Sequence, residues 1–318
     1  MNKLPEARPR AIMRAMLKNG KPSHTVAVIE ALIVNLIWAS SFVLVKIGLN
    51  YAGALSLAGL RYFSAFLLLV PLLARDGKSA RVIPRRWWIY LFLIGACAYL
   101  IGNGALFWGL QSIPATTGSL MLSLIPVPVF FMGIVWLKEK PTWLQTTGLA
   151  VALAGSALFF SPGLTAGDPL AVAIVAAGLI GFAFFGILGR EVARDGHVDT
   201  LPLTAFPLAF GGGLLLFIAL PLEGLPKFSW ELGGIILWLA LVNTAIAYLL
   251  YNHALQLLTA LEMNVLNNLA PLVTAMLAWI FLGEVLQPIQ LGGIIVVIVG
   301  VVLVQWRNGK SSEAHVGD

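Results

Sequence analysis

The chain has 318 residues, of which 59% are hydrophobic and 11% charged. A soluble domain carries about 25% charge, so this balance excludes an ordinary globular protein and points to a polytopic membrane protein. The net charge of +6 sits in the loops and needs no nucleic acid to explain it. The single cysteine, Cys97, excludes an intrachain disulfide and any C-x-x-C metal or redox motif.

Residues 1–25 read as a basic cytoplasmic tail that runs directly into apolar sequence. That apolar run is too long for a signal peptide and lacks a convincing cleavage site, so it reads as an uncleaved first span. Within the tail, residues 11–20 suit a short basic surface helix or a disordered segment equally well. About 20 apolar residues cross a bilayer. Breaks at charge, Gly and Pro clusters then predict ten spans, at 26–48, 53–74, 87–108, 114–137, 142–161, 169–190, 201–221, 233–253, 259–282 and 287–306. Residues 307–318 form a cytoplasmic C-terminal tail. With the N-terminus inside, seventeen of the 20 Lys and Arg lie on the inner side, only Lys227 lies outside, and Lys46 and Arg61 fall within spans. That asymmetry predicts both termini inside and a bacterial inner membrane.

An internal repeat is visible at a shift of 145. It aligns Pro126 with Pro271, Glu139 with Glu284, Gln145 with Gln290, Gly148 with Gly293 and Gly155 with Gly300. Five spans per copy is odd, so the second copy, 169–306, enters the membrane inverted relative to the first, 26–161. Inverted repeats mark alternating-access transporters whose site lies near the midplane. The motif "PVPVFFMGIVWLKEKPTWLQTTGLAVALAG" and its second copy resemble the EamA domains of the drug/metabolite transporter superfamily. So do "NLIWASSFVLVKIGL", "LRYFSAFLLLVPLL" and "ALFWGLQSIPATTGSLMLSLIPV". The resemblance implies an all-α basket of ten transmembrane helices around a central cavity, with the fifth and tenth behind. It names no substrate.

The candidate site starts from "NVLNNLAP". Asn264 and Asn268 are four apart and share a helix face, with Asn267 adjoining. The repeat sets Ser119, Leu122 and Ser123 opposite them. Pro126 and Pro271 each remove a helix hydrogen bond and serve as hinges. Freed carbonyls beside amides would make a neutral wall suited to zwitterionic or polar uncharged solutes. The competing reading is glue between helices, worth about 0.6 kcal/mol per bond. Asn35, Trp38 and Ser41, Tyr99 and Asn103, and Asn243 join the candidate cavity. Trp87 and Trp88 read as an interfacial belt, and "FAFF" (182–185) as packing or lipid-facing, with one ring available to a cavity.

Charges in spans are costly. Lys46 can snorkel, whereas Arg61 is too deep and must meet carbonyls, a carboxylate or water; an arginine here also resembles the family pattern, which implies an architectural role as the alternative. Glu30 is expected to reach water at the inner edge. Glu262 and His253 lie near each other at the inner mouth, either as interfacial residues or as a proton-exchanging pair. Glu139 and Glu284 read as helix-end anchors. No Walker A, H-E-x-x-H or G-x-S-x-G motif occurs. We therefore expect a secondary transporter, not an enzyme, with no cofactor or metal. Its partners would be a small-molecule substrate, the bilayer and possible coupling protons, and it would act as monomer or homodimer. Amino acids or related compounds, moved outward, fit the neutral wall best. Sugar phosphates, nucleotide sugars or cationic drugs are the alternatives.

Overall fold

The structure is a computed structural model that describes residues 22–76, 83–113, 118, 121–163, 168–227, 229–270, 272–273 and 287–305. Ser119, Pro271 and Glu284, the Lys46 side chain and nearly all of both tails lie outside the described residues.

Every regular element described is helical. The helices are α1 (His24–Gly48), α2 (Ala54–Asp76), α3 (Arg85–Gly109), α4 (Pro126–Val135), α5 (Trp143–Phe160), α6 (Pro169–Asp195), α7 (Thr200–Glu223), α8 (Trp230–Ala254), α9 (Ala260–Asn267) and α10 (Pro288–Gln305). Eight of them, all but α4 and α9, are long and apolar enough to cross a membrane. Their outer faces stay apolar, with Phe217, Leu222 and Ile295 more than half exposed. Patches of this extent need a lipid partner.

Local chemistry sets the helix starts. Ser23, Thr142, Ser229 and Thr259 accept backbone N–H groups at the starts of α1, α5, α8 and α9, as N-cap hydroxyls do. Gln145 reaches back to the backbone N–H of Thr142, and Gln290 to that of Gln287, both at 2.8 Å. Two of the positions aligned by the 145-residue shift thus do the same work.

Among the described residues, the fourth and ninth spans are helical over less than their predicted lengths. Ser123–Ile125 form a turn before α4, and α9 ends at Asn267. After the turn at Asn268, residues 269–270 and 272–273 are again helical. Asn268 caps α9 with helical dihedrals of φ −65° and ψ −9°. Two further features are absent from any span prediction. Ala96–Asn103 in α3 and Leu241–Ile246 in α8 are π-helical, and their first residues are 145 apart. Asn103 and Thr244 each donate to the carbonyl five residues earlier, at 2.8 Å. This fits a widened turn, and π-bulges occur often at functional sites.

Close packing rests on small residues. A Cβ on Gly148 would meet the Gly300 carbonyl at 2.8 Å, and one on Gly155 the Gly293 carbonyl at 3.0 Å. These contacts make α5 and α10 antiparallel. Gly59 against Leu216 and Gly212 against Phe63 do the same for α2 and α7, and Gly181 against Cys97 with Gly178 against Ala105 for α3 and α6.

One end of the bundle is tied by buried polar groups. Arg190 donates to the Leu255 carbonyl at 2.6 Å and pairs with Glu139 at 3.3 Å. Burial pushes the Glu139 carboxyl up, while the Arg190 guanidinium pulls it down. Glu139, expected only as an anchor, is thus one half of a bridge from α6 to the segment after α4. Arg194 adds a bond to the Leu137 carbonyl at 3.2 Å. Glu191 accepts from Arg86, Tyr90 and Trp136. Trp87 is not in a lipid belt: it is 4% exposed, edge-on to Tyr90 and under the Arg86 guanidinium. Trp88 packs edge-on to Phe206. Arg190→Ala is expected to lower stability by on the order of 3 kcal/mol, because it strands a largely buried carboxylate and a carbonyl. Thermal melts in detergent would show this, with Arg190→Lys recovering part of the loss.

Candidate functional site

A cavity of about 150 Å³ lies between the helices. A buried water needs about 10–15 Å³ of such space, so the cavity can hold on the order of ten waters or one small metabolite. Its walls are Trp38, Ser41 and Val45 of α1, Arg61 and Tyr62 of α2, and Asn103, Leu106, Phe107 and Leu110 around the end of α3. Leu122, Ser123 and Ile125 come from the segment leading into α4, and Phe182 and Phe185 from α6. Tyr248 and Tyr251 of α8, and Asn264, Asn267, Asn268 and Ala270, complete it.

Trp38, Phe185, Tyr248 and Tyr251 form an aromatic cluster on one side. Trp38 lies 5.3 and 5.5 Å from the two tyrosines, and Phe185 stacks on Tyr251 at 5.3 Å. Such pairs are rigid and apolar. Beyond them is the Glu30–His253 pair, with Nδ1 2.8 and 2.9 Å from the two carboxylate oxygens. Glu30 precedes Trp38 by two helical turns, about 12 Å along α1. It is 3% exposed, so it does not reach water as expected; His253 takes the place of solvent. Glu262 is engaged elsewhere. Its oxygens accept from Gln145 Nε2 at 3.2 Å and from the Thr259 N–H at 2.8 Å. His253 thus bonds Glu30, while Glu262 bonds Gln145 and the Thr259 backbone.

The amides divide into two groups. Asn264, Asn267, Asn268, Asn103, Ser41 and Ser123 face the cavity, as does Trp38. Asn264 donates to the Ala260 carbonyl at 2.9 Å, and Asn268 to the Ser123 carbonyl at 3.1 Å. The second bond joins two positions 145 apart. Asn35, Tyr99 and Asn243 stand behind the wall. Asn35 Nδ2 bonds Ala31 O at 2.7 Å and reaches Asn267 Oδ1 at 3.5 Å. Asn243 braces α8 on α1 through Ile37 O and Ser40 Oγ, at 2.6 and 3.0 Å. Tyr99 packs between Tyr62 and Tyr248, at 4.5 and 5.4 Å. Pro126 is buried at the first turn of α4, where its missing N–H costs nothing. Pro126 thus starts a helix, whereas the sequence reading placed a hinge inside one.

Arg61 is 4% exposed and meets oxygens on two helices. It donates to Ser41 Oγ at 2.9 Å, to Thr244 Oγ1 at 2.8 Å and to the Asn243 carbonyl at 3.1 Å. The last two lie in the π-helical turn of α8. Sequence reasoning missed Tyr251 and Tyr62, and it gave 182–185 to packing or lipid with one ring available to a cavity, where the structure puts both Phe182 and Phe185 on the wall. For Tyr251 a signal was available in the 145 shift, which pairs it with Leu106 and likewise pairs Tyr248 with Asn103 across the cavity.

A family model, the EamA-like transporter family, matches residues 25–161 and again 169–306. The chain belongs to that family. Among curated relatives, a probable terminal-alkyne amino-acid exporter of Streptantibioticus cattleyicolor is 29% identical over 87% of this chain and 93% of its own. An uncharacterized inner membrane transporter of Escherichia coli, YedA, is 26% identical over 85% and 87%. An S-adenosylmethionine/S-adenosylhomocysteine transporter of Chlamydia trachomatis is 24% identical over 84% and 85%. A crystal structure with 17% identity aligns at a TM-score of 0.73, over 88% of this chain and 96% of its own, and shows the fold alone. The relatives are named as transporters or exporters, and the chain is a multi-span membrane protein of that family.

Proposed function

We propose that this protein is a secondary transporter of the inner membrane that exports small zwitterionic metabolites, amino acids or close relatives, by alternating access. Both termini would be cytoplasmic, and ten spans would form two inverted repeats. The observation that carries this reading is the composition of the cavity. Its polar and aromatic walls are built in pairs 145 apart: Ser123 with Asn268, Leu122 with Asn267, Leu106 with Tyr251, and Asn103 with Tyr248. A shared site between two related halves is what alternating access requires. The antiparallel Gly148–Gly300 and Gly155–Gly293 contacts support inversion, because exchanging the two copies turns one contact into the other. The names of two relatives, an amino-acid exporter and an S-adenosylmethionine transporter, support the substrate class.

The test is release of pooled amino acids and polyamines from proteoliposomes, with and without an imposed pH gradient. Selective release of neutral amino acids is expected, and indifference to the whole pool would end this reading. Where a proton gradient drives the cycle, its carrier is the Glu30–His253 pair and not Glu262. Glu30→Gln is then expected to leave transport running but insensitive to the gradient. Gradient-driven flux persisting in that variant would remove the pair as carrier.

A further inference from the structure

Arg61 is a buried cation on the cavity wall. Among the described residues no carboxylate pairs with it, and none of those lining the cavity is acidic. Its partners are two hydroxyls and a carbonyl, all neutral. Hydrogen bonds to neutral oxygens hold a guanidinium in place but do not cancel its charge. An uncompensated charge in a low-dielectric site is costly. The site therefore gains most from a ligand that brings a negative group.

The geometry of the bonds sharpens this. A guanidinium has five N–H donors. The bonds to Thr244, Ser41 and Asn243 use one each on Nε, Nη1 and Nη2. One N–H remains on each terminal nitrogen. A carboxylate's two oxygens can take one N–H from each of two neighbouring nitrogens. The guanidinium carbon lies over the Tyr62 ring, 5.1 Å from its centroid. The rest of the wall is aromatic, amide, hydroxyl and aliphatic, with no second cation among the described residues, which suits a ligand carrying one negative charge and no more.

We propose that Arg61 is the anion-binding group of this cavity and that it takes the carboxylate of a monocarboxylate substrate. This deepens the transporter reading and rests on it. Arg61 then does two jobs. It ties α2 to α1 and α8, and it selects for the acid over the amide or the amine.

The wild-type protein tests this without any variant. Methionine, threonine and phenylalanine are each compared with their amides, as competitors of uptake and as stabilisers in thermal melts. A charge-assisted pair predicts that the amides act about tenfold to a hundredfold more weakly. Inorganic phosphate is the control anion and is expected to compete poorly. Arg61→Gln is expected to erase the acid–amide difference, and Arg61→Lys to retain part of it. If amides are carried as well as acids, Arg61 has no such role while the transporter reading stands. Preference for phosphate would overturn the carboxylate assignment in the same way. If no acid competes, stabilises or moves, the proposal and the amino-acid reading fall together.

Discussion

Gly300→Val should remove most of the folded protein from detergent extracts. A Cβ at this position would lie 2.5 Å from the Ala152 nitrogen, 2.7 Å from the Gly148 carbonyl oxygen and 2.8 Å from the Ala152 Cα. All three are backbone atoms of α5, so no side chain can swing aside. The helices must separate, and the cost spreads along the whole α5–α10 contact. Overpacking alone typically costs about 1–3 kcal/mol, more where backbone must shift. Membrane helices have little hydrophobic drive to close the gap again, because lipid is as apolar as the partner helix. Gly292→Ala is the matched control. Its Cβ would find only a Leu158 methyl at 4.0 Å, so yield should hold. Size-exclusion profiles and melting temperatures of the two variants decide the point. Equal behaviour would mean that α5 and α10 do not meet through these glycines.

Asn264→Ala with Asn268→Ala should lower kcat/KM at least tenfold while most of the folded protein survives. Both amides line the cavity. Asn264 spends its donor on its own helix, so its loss unties nothing between helices. Asn268 gives up one bond to the Ser123 carbonyl. Buried interhelical bonds in membranes are worth about 0.6 kcal/mol each, too little to unfold the bundle. A substrate hydrogen bond lost in the transport cycle costs more, because the partner is left dry. Asn243→Ala gives the contrast. That side chain joins α8 to α1 and lies behind the wall, so it should lower the melting temperature with little effect on substrate discrimination. If the double variant loses folded protein in step with transport, its amides are glue.

How much of this was legible in the sequence depends on what carries each feature. The 145-residue repeat was legible because proline, glycine and capping glutamine are tied to local backbone geometry. Gln145 and Gln290 prove to hold equivalent helix starts, and the four aligned glycines proved to be packing points. The polar stripe at Asn264–Asn268 was legible because an amide is conspicuous among apolar residues. Which side of a wall each polar residue takes was not. Asn35 and Asn243 read like Asn264, yet they stand behind the cavity, because facing direction depends on where the neighbouring helix lies. Which rings of 182–185 line the cavity was not legible for the same reason: a buried ring and a lipid-facing ring have the same composition. The π-helical turns in α3 and α8 have no span-level signal either, since they shift carbonyls without changing hydropathy.

The sequence by itself therefore determined the membrane class, the two-fold repetition and the family, all of which rest on composition and on local backbone rules. Only the tertiary structure decided the pairings. It joined Glu30 to His253 across 223 positions, Arg190 to Glu139 across 51 and Arg61 to the α8 turn across 183. A charge within a span must find a partner or a ligand. Which one it finds is a matter of distances between helices, and those are set by packing over the whole bundle.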